Sequence, residues 1–273
     1  VQGRPIGMTK EEAKDSTIID HADVRRTLMT IKSYLDAMRY MNYDNHLMLD
    51  LEYFAEGELK DFGKERCGIL TPITKAWISD LSVELTSMAI QVYGGMGYVE
   101  ETGIAQYFRD ARIAPIYAGT NGIQAEDLVF RKITLNDGKA VESLLKEMRT
   151  NISSMKEHEN LEPLSEILER HVAEIEEATQ YLLKELGKGN LAGVSASGTA
   201  YLKMFGQVLG GHYMGKAAVT ATKNLLENNA EFHNDKITLS KFYIKQLLPL
   251  ASSYFSSVML GKENLYSIDS NSF

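Results

Sequence analysis

The chain has 273 residues, is 44% hydrophobic and contains only 5 Pro, enough apolar material for one large domain or two ordinary ones. It carries 29 Lys and Arg against 37 Asp and Glu, a net charge of -8. No basic cluster is longer than a pair, which argues against nucleic acid or an anionic membrane as the main partner and favours a small-molecule ligand. The single Cys67 rules out an internal disulfide framework, and no Cys or His cluster has metal-ligand spacing, so a reducing compartment and no metal are expected. No apolar run approaches the ~18 residues of a membrane span, and the opening Val1-Gln2-Gly3-Arg4-Pro5 is polar rather than signal-like. A soluble protein is expected, and a start on Val reads as a piece of something longer.

From His21 to about Phe54, Val24, Leu28, Ile31, Leu35 and Met38 recur at steps of four and three, the pattern of one helical face, with Asp20 or Asp23 as candidate caps. A second long helix is expected from about Thr71 to Tyr93. It has Pro72 in its first turn, a stripe of Ile73, Trp77, Leu81, Leu85, Met88 and Val92, and Gly94 and Gly95 at its end. Glu100 to Arg112 is short and mixed. Pro115 then stops any helix before the loop Ile116-Tyr117-Ala118-Gly119-Thr120-Asn121-Gly122, and a new helix starts near Ile123. After the turn Asn136-Asp137-Gly138, helices are expected at about 139–157, 163–186, 195–228 and 236–260, an up-and-down bundle of four. No stretch reads as a strand, so the fold class is all-α. The only boundary falls near residue 137, separating units 1–136 and 137–273.

Two segments stand out for chemistry. Gln91-Val92-Tyr93-Gly94-Gly95-Met96-Gly97-Tyr98 sets three glycines within four residues after a helix, leaving backbone amides that a ligand can approach closely. A glycine cap followed by a tight turn explains the same residues without a ligand. Roughly twenty residues later comes Tyr117-Ala118-Gly119-Thr120-Asn121-Gly122-Ile123-Gln124, with Phe108-Arg109-Asp110-Ala111-Arg112 between.

This ordered set resembles the acyl-CoA dehydrogenase family over roughly residues 1–135. The resemblance extends to Gln2-Gly3-Arg4-Pro5 and His21-Ala22-Asp23-Val24-Arg25-Arg26, which look like the larger members, and the remainder looks like the extra C-terminal helical domain that those members append. It implies an acyl-CoA dehydrogenase-like C-terminal helical bundle followed by a second up-and-down bundle, without the family's N-terminal helical and middle β domains. It further implies FAD as cofactor, held by Gln91, Val92, Tyr93, Gly94, Gly95, Thr120 and Gln124, with Tyr117 and Gly119 beside the substrate. The activity implied is removal of an α-proton and a β-hydride from an acyl-CoA thioester to give the trans-2-enoyl-CoA. Electrons pass to an electron-transfer flavoprotein, in a homo-oligomer (dimer or tetramer) whose flavin site spans subunits. The location implied is cytoplasmic in a bacterium or the mitochondrial matrix.

In the family's Tyr-Glu-Gly-Thr loop the Glu is the catalytic base, and here that position is Ala118. A methyl group cannot accept a proton, and loss of a positioned base costs ~10²–10⁴-fold in rate, so this sequence is expected to dehydrogenate poorly. An engineered Glu→Ala exchange, a naturally inactive relative and a base relocated to another helix are three readings of Ala118. A non-catalytic helical fragment acting in assembly or binding is the alternative to an enzyme. Glu100, Glu101, Asp110, Glu126 and Asp127 lie nearby but read as solvated charges. Tyr107, Phe108, Tyr117, Trp77 and the methionines of 29–48 read as core. His21 reads as a helix-start residue, and His212, among small residues, as a packed or exposed histidine.

Overall fold

A computed structural model describes residues 3–225 and 230–273. Among these every regular element is helical. Helix α1 (Ala22–Phe54) turns through Ala55 and Glu56 into the antiparallel α2 (Gly57–Tyr93), and the two pack along their length. Gly63 sets their approach, since a Cβ there would meet Leu51 Cβ at 2.6 Å and the Met48 carbonyl at 2.8 Å. The short α3 (Gly95–Tyr98), α4 (Ile104–Arg112) and α5 (Asn121–Asp127) follow. Beyond a turn at 136–138 come α6 (Lys139–Lys156), α7 (Glu162–Gly187), α8 (Leu191–Asn224), α9 (Ala230–Phe242) and α10 (Ala251–Leu260).

Two expectations about α1 and α2 are corrected. Neither Asp20 nor Asp23 caps α1. His21 occupies the cap position with no side-chain bond, and Asp20 instead accepts from the Thr17 N–H at 2.8 Å. Pro72 lies deep inside α2, which begins at Gly57. Proline removes one ladder donor and crowds the preceding turn, but Cys67, Ile69, Leu70 and Ile73 are all buried, and their burial offsets that local cost. The expected α2 stripe holds, with Ile73, Trp77, Leu81 and Leu85 in the core, as are Met38, Met41 and Met48 of α1.

The turn Asn136-Asp137-Gly138 has φ of 51°, 55° and 85°, a left-handed run for which Asn, Asp and Gly are the suited residues. The tail departs from its expected pattern in one place. Instead of one helix over 236–260, α9 widens into a π-turn at Tyr243–Leu247, tightens into a 3-10 turn at Leu248–Leu250, and resumes as α10. Pro249 is the cause, lacking the N–H that a continuous ladder needs there. The expected end of the third tail helix, at 226–228, lies outside the described residues.

Helix α8 is the hub, contacting α1, α2, α5, α6, α7, α9 and α10. Its glycines make that possible: a Cβ on Gly206 would fall 2.4 Å from Trp77 Cγ, and one on Gly210 would fall 2.1 Å from the Tyr243 hydroxyl. The buried core runs without interruption from Tyr34 on α1 to Val258 on α10.

Candidate functional site

The glycine segment closes α2. Gly94, at φ 61°, donates its N–H to the Gln91 carbonyl at 3.0 Å and reverses the chain into α3. Gly97 is required by packing, since a Cβ would sit 2.3 Å from the Ile90 carbonyl. Gly95 has neither reason to be glycine: its φ is not left-handed, and a Cβ would meet no atom within 4 Å. Gln91, Tyr93, Gly94 and Gly95 are exposed and Val92 is half-buried. The adjoining cavity of about 590 Å³ is lined by residues including Ile90, Gly97, Tyr98, Glu100 and Arg109.

The second segment is a surface loop pinned at its ends. Asn121 N–H donates to the Pro115 carbonyl at 3.0 Å, closing the loop, and Thr120 caps α5 through its hydroxyl, which accepts from the Ile123 N–H at 3.3 Å. Between these points Ala118 and Gly119 both take left-handed conformations, at φ 55° and 79°. For a residue with a Cβ that costs roughly 1–2 kcal/mol, so the surroundings must hold Ala118 there. Gln124 Nε2 donates to the Ala118 carbonyl at 3.2 Å, and Lys75 Nζ, reaching from α2, donates to the Gly119 carbonyl at 2.6 Å.

Lys75 also donates to Asn121 Oδ1 at 2.8 Å, while Asn121 Nδ2 donates to the Ala76 carbonyl at 3.1 Å and to Asp80 Oδ1 at 2.6 Å. Burial lowers the Lys75 pKa and the charge of Asp80 opposes that shift. Lys75, Ser79 and Asp80 carry no functional signal in the sequence. Nothing in a helical stripe of Ile73, Ala76 and Trp77 marks a lysine that faces a loop more than forty residues later.

The two segments do not share a pocket in this chain. No residue of Tyr117 to Gln124 lines the cavity beside the glycines. Asp80, where the loop docks, and Gln91 are eleven positions apart on α2, about 16 Å at the helical rise. Tyr107 and Tyr117 are exposed rather than core, at 67% and 59%. They join Tyr93, Met96, Tyr98, Ile113, Ile116 and Ile123 as apolar side chains left open on the segments around the two motifs, more than isolated surface residues account for.

Three of the nearby acids are already engaged. Glu100 makes a two-point ion pair with Arg109, at 2.8 Å for both contacts. Asp127 pairs with Arg131 and Lys132, and Glu126 accepts from Ser195. Elsewhere, His171, Glu174 and Ser252 meet, but both Glu174 (2.7 Å) and Ser252 (3.4 Å) address the same ring nitrogen, Nδ1, while Arg170 lies 3.3 Å from Nε2. A proton relay needs acid and hydroxyl on opposite nitrogens, so this cluster is structural. His212, at 1% exposure, is packed, and Trp77 is core.

The described residues form an all-helical domain that carries both motifs, and comparison with known proteins gives its family. Residues 8–132 match the family model for the acyl-CoA dehydrogenase C-terminal domain, and residues 144–269 match a second, described as acetyl-CoA dehydrogenase C-terminal like. The chain is 31% identical over 261 residues to the 3-methylmercaptopropionyl-CoA dehydrogenase of Ruegeria pomeroyi, covering 94% of this chain and 44% of that protein. It is 26% identical over 268 residues to the broad-specificity linear acyl-CoA dehydrogenase FadE5 of Mycobacterium tuberculosis, covering 93% and 43%. The fold is also similar to that in the crystal structure of Caenorhabditis elegans ACDH-11 in complex with C11-CoA, with a TM-score of 0.63 and 16% identity over 95% of this chain and 42% of that one. The chain belongs to the acyl-CoA dehydrogenase family, as part of its C-terminal helical region. It spans less than half the length of these relatives.

Proposed function

We propose that the protein to which this chain belongs is built for flavin-dependent α,β-dehydrogenation of acyl-CoA thioesters, and that these residues supply one wall of the site. Gly95 carries the reading. It lies in the segment that the family uses for FAD, its conformation does not need glycine, and its Cβ side is open, so an approaching group is a reason for the missing side chain. Gln91, Val92, Tyr93 and Gly94 beside it, and Thr120 and Gln124 of the loop, would hold FAD, which when bound supplies the hydride acceptor. Tyr117 and Gly119 would face the acyl thioester. The apolar side chains left open around both segments fit a surface that the rest of the protein, or another subunit, covers.

The same reading covers a homo-oligomer, an electron-transfer flavoprotein as electron acceptor, and a location in the cytoplasm of a bacterium, the kind of source of two of the relatives named above, or else in the mitochondrial matrix. It also takes residue 137 as a domain boundary, a reading supported by one family model that ends at residue 132 and another that begins at residue 144. Ala118 supports a second reading, in which the chain is a binding or assembly module that has lost catalysis, because no titratable side chain stands at the base position.

The test is the full-length protein with Ala118→Glu. FAD should co-purify, and adding an acyl-CoA should bleach the flavin, at a rate about 10²-fold or more above that of the Ala118 form. A colourless full-length protein would sink the flavin reading. Bound FAD that no acyl-CoA bleaches in the Glu form would favour the non-catalytic one.

A further inference from the structure

The loop from Ile116 to Gly119 has no hold of its own on the core. Ile116 and Tyr117 are about half exposed, and Ala118 and Gly119 are exposed. Two consecutive left-handed residues in such a segment would not keep one conformation unaided. Their conformation is imposed through hydrogen bonds from two sides. One is Gln124, which takes the Ala118 carbonyl; the other is α2, where Lys75 takes the Gly119 carbonyl and Asn121 Oδ1 together. Asn121 is itself socketed on α2 by the Ala76 carbonyl and Asp80, with Ser79 Oγ 3.2 Å from its Oδ1.

We propose that Lys75 is a positioning residue for the loop, setting the direction in which the side chain of residue 118 leaves the backbone. The proposal rests on the reading that position 118 is the base position of an acyl-CoA dehydrogenase. A peptide unit is planar and trans, so its carbonyl and N–H point opposite ways. Drawing the Gly119 carbonyl towards α2 therefore turns the Thr120 N–H away from it, and the Gln124 contact does the same for the Gly119 N–H. The ammonium group suits the task. It is a compact cation with three rotatable donors, here 2.6 Å from a carbonyl oxygen and 2.8 Å from an amide oxygen, and bonds from an ionised donor are the stronger kind. Removing it frees the Gly119–Thr120 peptide to rotate and takes one donor from Asn121 Oδ1, loosening the loop closure in which the Asn121 N–H bonds the Pro115 carbonyl and the Gln124 N–H bonds the Thr120 carbonyl.

Two measurements test this. In the chain itself, with no flavin required, Lys75→Met should speed amide hydrogen exchange at Asn121 and Gln124 by about 10-fold or more, as expected for a local opening, while the thermal midpoint hardly moves. Lys75→Arg should fall between the two. Unchanged exchange in Lys75→Met overturns the proposal. In the full-length protein carrying Ala118→Glu, Lys75→Met should lower kcat by about 10-fold or more with KM and FAD content nearly unchanged, the pattern of a misplaced reacting group. Lys75→Arg should restore part of the loss. Full kcat in Lys75→Met overturns the role. If Ala118→Glu is itself inactive, the functional reading fails instead, and the exchange measurement alone decides whether Lys75 holds the loop.

Discussion

Arg66 of α2 donates to Glu147 of α6 at 2.6 Å, joining the segment before the 136–138 turn to the one after it with an ion pair whose arginine is 4% exposed. Lys216 lies 3.2 Å and His212 Nε2 3.6 Å from the other carboxylate oxygen. His212 and Arg66 together hold the Glu147 carboxyl well below the usual carboxylate range, against the opposing effect of burial. Of the two contacts, the shorter one from Arg66 is the one that leaves a buried charge when broken.

Glu147→Gln should therefore destabilise the chain by about 2–3 kcal/mol. That is below the 3–5 of a fully buried pair, because Glu147 is 34% exposed and partly screened. Arg66→Met should cost a similar amount, and the double variant less than the sum. Urea unfolding of the four proteins checks it, and strict additivity would contradict the coupling.

His171 and His212 are both held below the ordinary imidazole value of 6.5, mainly by burial and against the pull of Glu174 and Glu147 respectively. The unfolded chain therefore takes up these protons first as pH falls. Stability should be full above pH 6.5 and decline below it until the folded imidazoles titrate. The contribution of Glu147 is kept through that window and starts to go only below about pH 4.5. The thermal midpoint should fall from pH 7.5 to 5.5, by roughly 2–4 °C per kcal/mol lost. The pair His171→Gln and His212→Gln should flatten the slope, and an unaltered slope in that pair would refute the assignment.

Gly206 should not tolerate a methyl group. Its Cβ would overlap Trp77 Cγ, Cδ1 and Cβ at 2.4–2.8 Å, so Gly206→Ala is expected to cost about 1–3 kcal/mol by overpacking. Combining it with Trp77→Leu should recover part of that loss. Calorimetric unfolding of the single and double variants decides between overpacking and a helix-propensity effect, which would favour alanine.

Ala118→Gly should stabilise the isolated chain slightly, by about 0.5–1 kcal/mol, because glycine adopts φ 55° without steric cost. Denaturant midpoints measure it. A loss of stability would mean that the loop does not hold the left-handed conformation in solution.

The all-helical fold was legible because α1, α2, α6 and α7 show apolar positions at steps of three and four, and burial of one face is a local pattern written along each helix. The turn at 136–138 was legible for a similar reason, since Asn, Asp and Gly are the residues that tolerate left-handed backbone. Pro72 and Pro249 show the limit. The same residue type sits inside a continuous α2 but breaks the last helix of the tail, although a buried stripe runs past both, through Ile73 and Trp77 in one and Ala251 and Val258 in the other; neither the proline nor the periodicity around it separates the two cases.

By itself, the sequence determined the helices, the family, and the identity of the residue at position 118, because motifs and periodicity depend on order along the chain. The tertiary structure decided which groups act on that residue. Lys75 and Asp80 lie more than thirty positions before Ala118, and their contact with the loop exists only because α5 docks on α2. It also decided the reasons for the glycines. Left-handed backbone at Gly94, close packing at Gly97 and neither at Gly95 are differences of surroundings that four consecutive letters, Gly-Gly-Met-Gly, do not distinguish.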